Sequence, residues 1–194
     1  MSLPEPLDPV GETSPSKLTA IYIAALAVLI AIASIGDDGA AKTMIRSSID
    51  ITDTFSFFQA KNIRQTDFRL AADDFEARLA DPALAAPVRQ KLEEKVKAYR
   101  ATAERYESEP ETGEGKKELL AKAKTLEAER EIALKQDPYF DYSQALLQIA
   151  IVLASVSLII GGVLLLQVSA VMGILGTLAM INAFTLWVSI PFLS

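Results

Sequence analysis

The sequence predicts an all-α integral membrane protein with three transmembrane helices and a cytoplasmic antiparallel helical hairpin that forms a coiled-coil-like stalk. Apolar residues make up 51% of the 194 residues and charged residues 23%, and the two classes are segregated along the chain. No charged residue occurs from Tyr142 to Ser194, whereas 18 of the 19 Lys and Arg residues lie between Asp37 and Asp141. Because a soluble domain mixes the two classes, this segregation excludes an ordinary water-soluble fold.

Three apolar segments are long enough to cross a bilayer, which takes about 20 helical residues. They are residues 18–36, 145–166 and 168–190, and the last two are separated by a short turn at Gln167. We expect these two segments to form a tight hairpin. The alternative for the first segment is a cleaved signal peptide, but the tail before it, residues 1–17, is acidic and rich in proline, which favours a retained anchor.

The basic residues next to the spans predict the orientation. Lys42 and Arg46 follow the first span, and Arg130 and Lys135 precede the second. Lys and Arg near span ends favour the cytoplasmic side, so the central region is predicted inside and the N-terminal tail outside. Four aromatic residues fall at the expected cytoplasmic interface: Tyr139, Phe140, Tyr142 and Trp187.

The central region, residues 37–141, is predicted to be helical with two breaks, one near 81–87 after Asp81-Pro82 and one near 108–115, an acidic linker with Pro and Gly. The first helix is about as long as the two that follow it taken together, which favours a hairpin with a broken return limb. A three-helix bundle is the alternative. Asp137-Pro138 resembles a helix start, so a bend is expected there. The apolar seam of the first helix is predicted at Met44, Ile51, Phe58, Ala72 and Leu79.

The composition gives little support to catalysis. The chain has no Cys and no His, and no catalytic, cofactor or metal site is predicted from it. A net charge of −6 argues against nucleic acid as a partner. Paired carboxylates such as Glu93 and Glu94 could act as acid and base in an enzyme, but charged residues on solvated helix faces look the same and are far commoner. We therefore expect a protein that is not an enzyme.

Small residues with spacing near four occur in the last two spans and permit close approach of helices. They form either an interface for assembly or the internal packing of the hairpin, and we favour the latter. The candidate packing residues are Ser157, Gly161, Gly162, Ser169, Gly173, Gly176 and Asn182.

Two stretches carry a resemblance to a known family: FQAKNIRQT at residues 58–66 and FDYSQALLQIAIVLASVSLI at residues 140–159. Together with the order of spans and charged region, they resemble a bacterial membrane family catalogued as domain of unknown function family 4337. The resemblance implies a bacterial inner-membrane protein without an assigned activity or catalytic residues. Within the first stretch, a polar group is either a docking face for a partner or a solvated helix surface: Lys61, Asn62, Arg64 and Gln65.

The function predicted from these features is a non-catalytic membrane-anchored scaffold or accessory subunit of a larger complex. Its helical stalk would contact a protein partner or another copy, because a narrow stalk core needs further burial. Membrane lipid is the other expected partner. The alternative is a small oligomeric channel or transport accessory protein, although no ionisable residue lies inside the spans to mark a transport route.

Overall fold

The computed structural model describes residues 15–189 and contains four α-helices in that part of the chain. Residues 1–14 of the predicted acidic tail, and Ile190 at the end of the predicted third span, lie outside the described residues. The helices are α1 Pro15–Leu79, α2 Ala86–Glu107, α3 Lys116–Ile160 and α4 Val163–Thr185.

The chain divides into two units. The charged unit is Thr43–Glu131, and the apolar unit comprises the residues before and after it, of which 15–42 and 132–189 are described. Helices α1, α3 and α4 are each long and apolar enough to cross a membrane. The all-helical fold and the three candidate spans are therefore confirmed.

The apolar unit is built from the first part of α1, the last part of α3 and all of α4. Its buried centre is Leu26 on α1 with Leu147 and Ala150 on α3. Several partly buried side chains pack against this centre: Tyr22, Leu29, Ile30, Ile151 and Met172. The small side chain of Ala150 and the glycines of α4 let the three helices approach closely.

The turn between α3 and α4 lies at Gly161-Gly162, earlier in the chain than the turn predicted at Gln167. Gly161 has φ of +76°. This left-handed conformation is unfavourable for residues that carry a Cβ, and glycine has none. The Gly161 amide donates to the Ser157 carbonyl at 2.8 Å, and the Ser157 hydroxyl donates to the Gly162 carbonyl at 2.8 Å. Hydropathy placed the turn at the most polar residue, but backbone conformation decides its position, so the predicted span limits are corrected here.

Helix α3 continues through Pro138, so the helix start expected at Asp137-Pro138 is wrong. Proline removes one helical hydrogen bond, but the packing of Tyr139 and Phe140, which follow it, favours a continuous helix. Tyr139 and Phe140 are both buried, and the Phe140 ring contacts that of Phe184 edge to face with centroids 4.9 Å apart. The Phe140 ring also occupies the space where a side chain at Gly36 would lie.

In the charged unit, α2 packs antiparallel on the distal part of α1. Phe68 lies edge to face on Tyr99 with centroids 5.2 Å apart, and Phe75 lies 5.6 Å from the same ring. Nearer the end of α1, the Arg89 guanidinium donates to the Leu79 carbonyl at 3.0 Å. Residues later in α1 therefore contact residues earlier in α2, as in an antiparallel pair.

The ends of these helices follow the local sequence. After α1, the Asp81 carboxylate accepts a hydrogen bond from the Ala83 amide at 2.8 Å, and Pro87 lies in the first turn of α2, where its missing N–H costs nothing. Between α2 and α3, residues 108–115 are not helical, and Gly113 has φ of +70°. Proline thus marks both breaks, and glycine marks the second.

Glycine substitutions test the turn. Gly161→Ala should lower the free energy of unfolding by about 1 kcal/mol, because alanine is strained in the left-handed region. Gly39→Ala is the matched control: Gly39 lies inside α1 with open space around its Cα, so alanine should stabilise by about 0.5–1 kcal/mol. Unfolding in detergent, followed by circular dichroism, measures both. Equal effects of the two changes would contradict the left-handed turn.

Candidate functional site

A polar cluster joins the three helices of the charged unit. At its centre the side chain of Gln65 is 1% exposed. Its amide nitrogen donates to the Ala103 carbonyl at 2.8 Å and to the Glu107 carboxylate at 2.9 Å, while its amide oxygen accepts from the Lys116 ammonium at 2.9 Å. One side chain on α1 therefore binds the end of α2 and the start of α3.

Lys61 holds the loop between α2 and α3. Its side chain is 7% exposed, and its ammonium lies 3.5 Å from the Glu109 carboxylate and 3.4 Å from that of Glu114. The ammonium also lies 5.2 Å from the ring centroid of Phe57 and 5.3 Å from that of Tyr106. A buried cation is costly unless it is paired, and here two carboxylates and two aromatic faces compensate its lost hydration.

Two carboxylates of this cluster are held in their ionised form. The Gln65 amide, assisted by the charge of Lys116, holds the pKa of Glu107 below its ordinary value near 4.5. Glu118 accepts the Ser108 hydroxyl at 2.6 Å and the Glu109 backbone N–H at 3.1 Å, and these hydrogen bonds lower its pKa as well. Glu118 thus fastens the loop to the start of α3, and Glu107 joins the end of α2 to α1 and to the start of α3.

The structure divides the four residues that the sequence suggested for partner docking. Lys61 and Gln65 are buried in the polar cluster, whereas Asn62 and Arg64 are exposed. The buried pair is occupied by contacts within the unit. Only Asn62 and Arg64 are accessible to a partner as the unit stands.

The small residues of the apolar unit lie mainly in its interior. The Ser169 hydroxyl donates to the Ala150 carbonyl at 2.6 Å, and the Tyr22 hydroxyl donates to the Ser169 carbonyl at 2.9 Å. A Cβ at Gly173 would lie 2.7 Å from the Tyr22 hydroxyl oxygen, and one at Gly176 would lie 2.8 Å from Leu147 Cγ. These residues therefore pack the three helices together. Sequence reasoning missed Tyr22, whose signal is a single phenol within an aliphatic run.

The other candidate packing residues have different surroundings. Ser157 is buried next to the turn, Gly161 is exposed in it and Gly162 is partly buried. Asn182 organises the chain after α4: its amide donates to the Val188 carbonyl at 2.9 Å and accepts from the Val188 N–H at 2.9 Å.

A second polar group lies at one end of the apolar unit. The Ser34 hydroxyl donates to the Gln144 side-chain oxygen at 3.0 Å, and the Gln144 amide donates to the Asp37 carboxylate at 3.1 Å. Burial raises the pKa of Asp137, and the charges of Asp141 and Asp37 raise it further. Among residues 15–189, no group of three or more acidic residues has a geometry that could hold a metal ion.

An exposed face of α1 in the charged unit is free of charge. We call it the uncharged stripe. Its members recur alternately at four and three residues, and all are exposed: Ile45, Ile49, Thr52, Ser56, Gln59, Ile63, Thr66 and Leu70. Its four large apolar side chains are each between 56% and 62% exposed. Asn62 and Arg64, the accessible candidates for docking, flank Ile63.

The opposite face of α1 is the inward one. The predicted seam residues Ile51 and Ala72 are buried there, and Met44, Phe58 and Leu79 are partly buried. Sequence reasoning found this seam and overlooked the uncharged stripe, because half of the stripe consists of Thr, Ser and Gln. The absence of charge over all eight positions was the available signal.

The fold and these sites define an all-helical protein with three candidate membrane spans and a separate charged helical unit. Residues 16–186 match the family described as a domain of unknown function, DUF4337. The chain belongs to this family, as the resemblance of the two sequence stretches indicated. Neither a curated protein nor a solved structure matches it significantly.

Replacement of the central amide tests the polar cluster. Gln65→Leu should lower the free energy of unfolding by about 1–3 kcal/mol, because the Ala103 carbonyl, Glu107 and Lys116 each lose a partner. Asn62→Ala, an exposed change on the same helix, should alter it by less than about 0.5 kcal/mol. Urea unfolding of the full chain in detergent measures both. Similar effects of the two variants would contradict the role of Gln65.

The lowered pKa of Glu118 predicts a loss of stability in acid. An acid whose folded-state pKa is below its ordinary value near 4.5 stabilises the fold above that pH, and this stabilisation is lost as the pH falls through the lowered pKa. Glu118→Gln should therefore be less stable than the parent at pH 7 and should lose less on acidification. Glu127→Gln, at an exposed position of α3, is the control and should keep the acid response of the parent.

Proposed function

We propose that this chain is a non-catalytic scaffold or accessory subunit of a larger membrane complex, in which the charged unit contacts proteins. The observation that carries the proposal is the uncharged stripe. An uncharged surface with four large exposed apolar side chains, on a helix otherwise rich in charges, favours a protein contact. Asn62 and Arg64 would supply polar contacts at its edge.

Membrane anchoring by α1, α3 and α4 is part of the proposal. It is supported by the outer faces of these helices, where large apolar side chains such as Val28, Ile159 and Ile174 are exposed while small residues lie inside. Helices in lipid show this distribution, since lipid solvates apolar surface and close packing needs small residues. Trp187, which is 82% exposed, suits a membrane interface.

The orientation we propose follows the basic residues near the spans. Lys42 and Lys135 border the apolar segments on the side of the charged unit, so this unit would lie in the cytoplasm as a helical stalk and the N-terminal tail outside. The family resemblance supports a bacterial inner membrane as the location.

The polar cluster supports the non-catalytic part of the proposal. Each of its buried polar side chains is matched within the unit: Lys61 by two carboxylates, and Gln65 by three partners. Their geometry fastens helices and a loop. Likewise, Gly173 and Gly176 pack against α1 and α3 within the apolar unit, which favours an anchor over a pore lined by these glycines.

A charge placed on the stripe tests this function. The full chain is purified in mild detergent from its native membrane, and proteins that co-migrate at stoichiometric abundance are identified by mass spectrometry. Ile63→Glu should remove the co-migrating protein, or reduce a self-assembled complex to single chains, because a buried unpaired carboxylate is costly. Leu120→Glu, at an exposed apolar position of α3, is the matched control and should retain it.

Two results would contradict the proposal. One is a chain that migrates alone as a single copy before any substitution. The other is a complex that Ile63→Glu and Leu120→Glu leave equally intact.

A further inference from the structure

We propose that the uncharged stripe is covered by a second copy of this chain, in a parallel two-stranded coiled coil of the two α1 helices. The inference rests on the proposed function and names the partner of the same surface. Four observations support it: the spacing of the stripe, the state of its hydroxyl groups, the charges beside it and the anchoring of α1.

The spacing of the stripe is that of a coiled-coil seam. Its members alternate between two heptad series, which correspond to the two core positions: Ile49, Ser56, Ile63 and Leu70 in one, and Ile45, Thr52, Gln59 and Thr66 in the other. From the first to the last of these residues the helix rises roughly 38 Å at 1.5 Å per residue. Nearly four heptads is the length from which a coiled coil is ordinarily inferred.

The hydroxyl groups of the stripe are already satisfied. Thr52 donates to the Ser48 carbonyl at 2.9 Å, Ser56 donates to the Thr52 carbonyl at 2.9 Å, and Thr66 donates to the Asn62 carbonyl at 2.9 Å. Covering the stripe would therefore leave no hydroxyl donor without a partner. An unpaired donor is the usual cost of burying such groups, and it does not arise here. The threonines can offer their methyl groups to the second helix.

Gln59 is the remaining polar member. In a symmetric dimer it would face Gln59 of the second copy, and two amides can each donate to and accept from the other. A single polar residue in a coiled-coil core lowers affinity but fixes register and the number of strands. The Gln59 pair would keep the two helices in register without stagger.

The residues beside the stripe fit a parallel copy without stagger. In that arrangement the residue just before each core residue of the series that contains Ile49 pairs with the residue five positions later on the other helix. None of these pairs has like charges, one is apolar and one joins opposite charges: Ser48 with Asp53, Phe55 with Ala60, Asn62 with Asp67, and Arg69 with Asp74. Asn62, a docking candidate from the sequence, could donate its amide to a carboxylate there.

Anchoring explains the direction and offsets the modest seam. Helix α1 begins in the apolar unit and continues without a break into the stripe, so two copies in one membrane would present their stripes in the same direction. Thr, Ser and Gln at half of the core positions give a weak interface by themselves. Confinement in the same membrane raises the effective concentration of the second helix.

Single cysteines test the pairing directly, because the chain contains none. Ile49→Cys and Ile63→Cys are introduced one at a time into the full chain, and the membranes are treated with a mild oxidant. Equivalent core positions of a parallel dimer lie within disulfide reach. Each variant should form a covalent dimer several-fold more efficiently than two controls at exposed positions of α3, Leu120→Cys and Glu127→Cys, which would lie too far apart.

Mixing distinguishes the two directions. A parallel dimer links each variant to itself, whereas an antiparallel dimer pairs one heptad series with the other and would link Ile49→Cys only to a third variant, Thr66→Cys. Cross-linking only in the mixture would overturn the proposal, and so would equal cross-linking at the control positions, which indicates collision. As a second measurement, Ile49→Glu should reduce cross-linking at position 63, while Leu120→Glu should leave it unchanged.

The outcomes also separate this inference from the proposed function. Absent cross-linking, together with a different protein that Ile63→Glu removes and Leu120→Glu retains, would overturn the second copy and leave the scaffold function in place. Absent cross-linking, together with a chain that migrates alone, would overturn both.

Discussion

The buried contacts of Gln65 and Lys61 are the constraint on which the charged unit depends. Two polar side chains one helical turn apart on α1 bind the end of α2, the following loop and the start of α3. Because both are withdrawn from water, neither can lose its partners without a cost larger than that of an exposed ion pair. The positions of α2 and α3 against α1 follow from this arrangement, as does the ionised state of Glu107.

The apolar unit depends instead on glycines, which have no side chain and let the helices approach closely. Gly173 and Gly176 on α4 leave space for Tyr22 and Leu147, and the Tyr22 hydroxyl then reaches the Ser169 carbonyl. In the proposed lipid environment, apolar side chains would gain little from contact with one another, so close packing and a few internal hydrogen bonds would hold the helices together. The outer surface is left to large aliphatic residues.

The surface available for interaction is a consequence of how α1 is used in the charged unit. Once one face is committed to α2 and α3, the face that remains repeats every three to four residues and carries no charge. A helix that needed only solvation would have charged residues there, as α2 does over most of its length. The proposed second helix would cover these exposed isoleucines on a face whose hydroxyl groups are already satisfied.

The sequence by itself determined the helical class, the three apolar segments, the two breaks at Pro and Gly and the inward seam, since these follow from composition and periodicity. It could not determine the position of the last turn, which depends on the left-handed backbone at Gly161, or the continuation of α3 through Pro138, which depends on the packing of Phe140. Only the tertiary structure decided that Lys61 and Gln65 point inward while Asn62 and Arg64 are exposed. The reason is that a polar residue reads the same in sequence whether water or a buried carboxylate satisfies it.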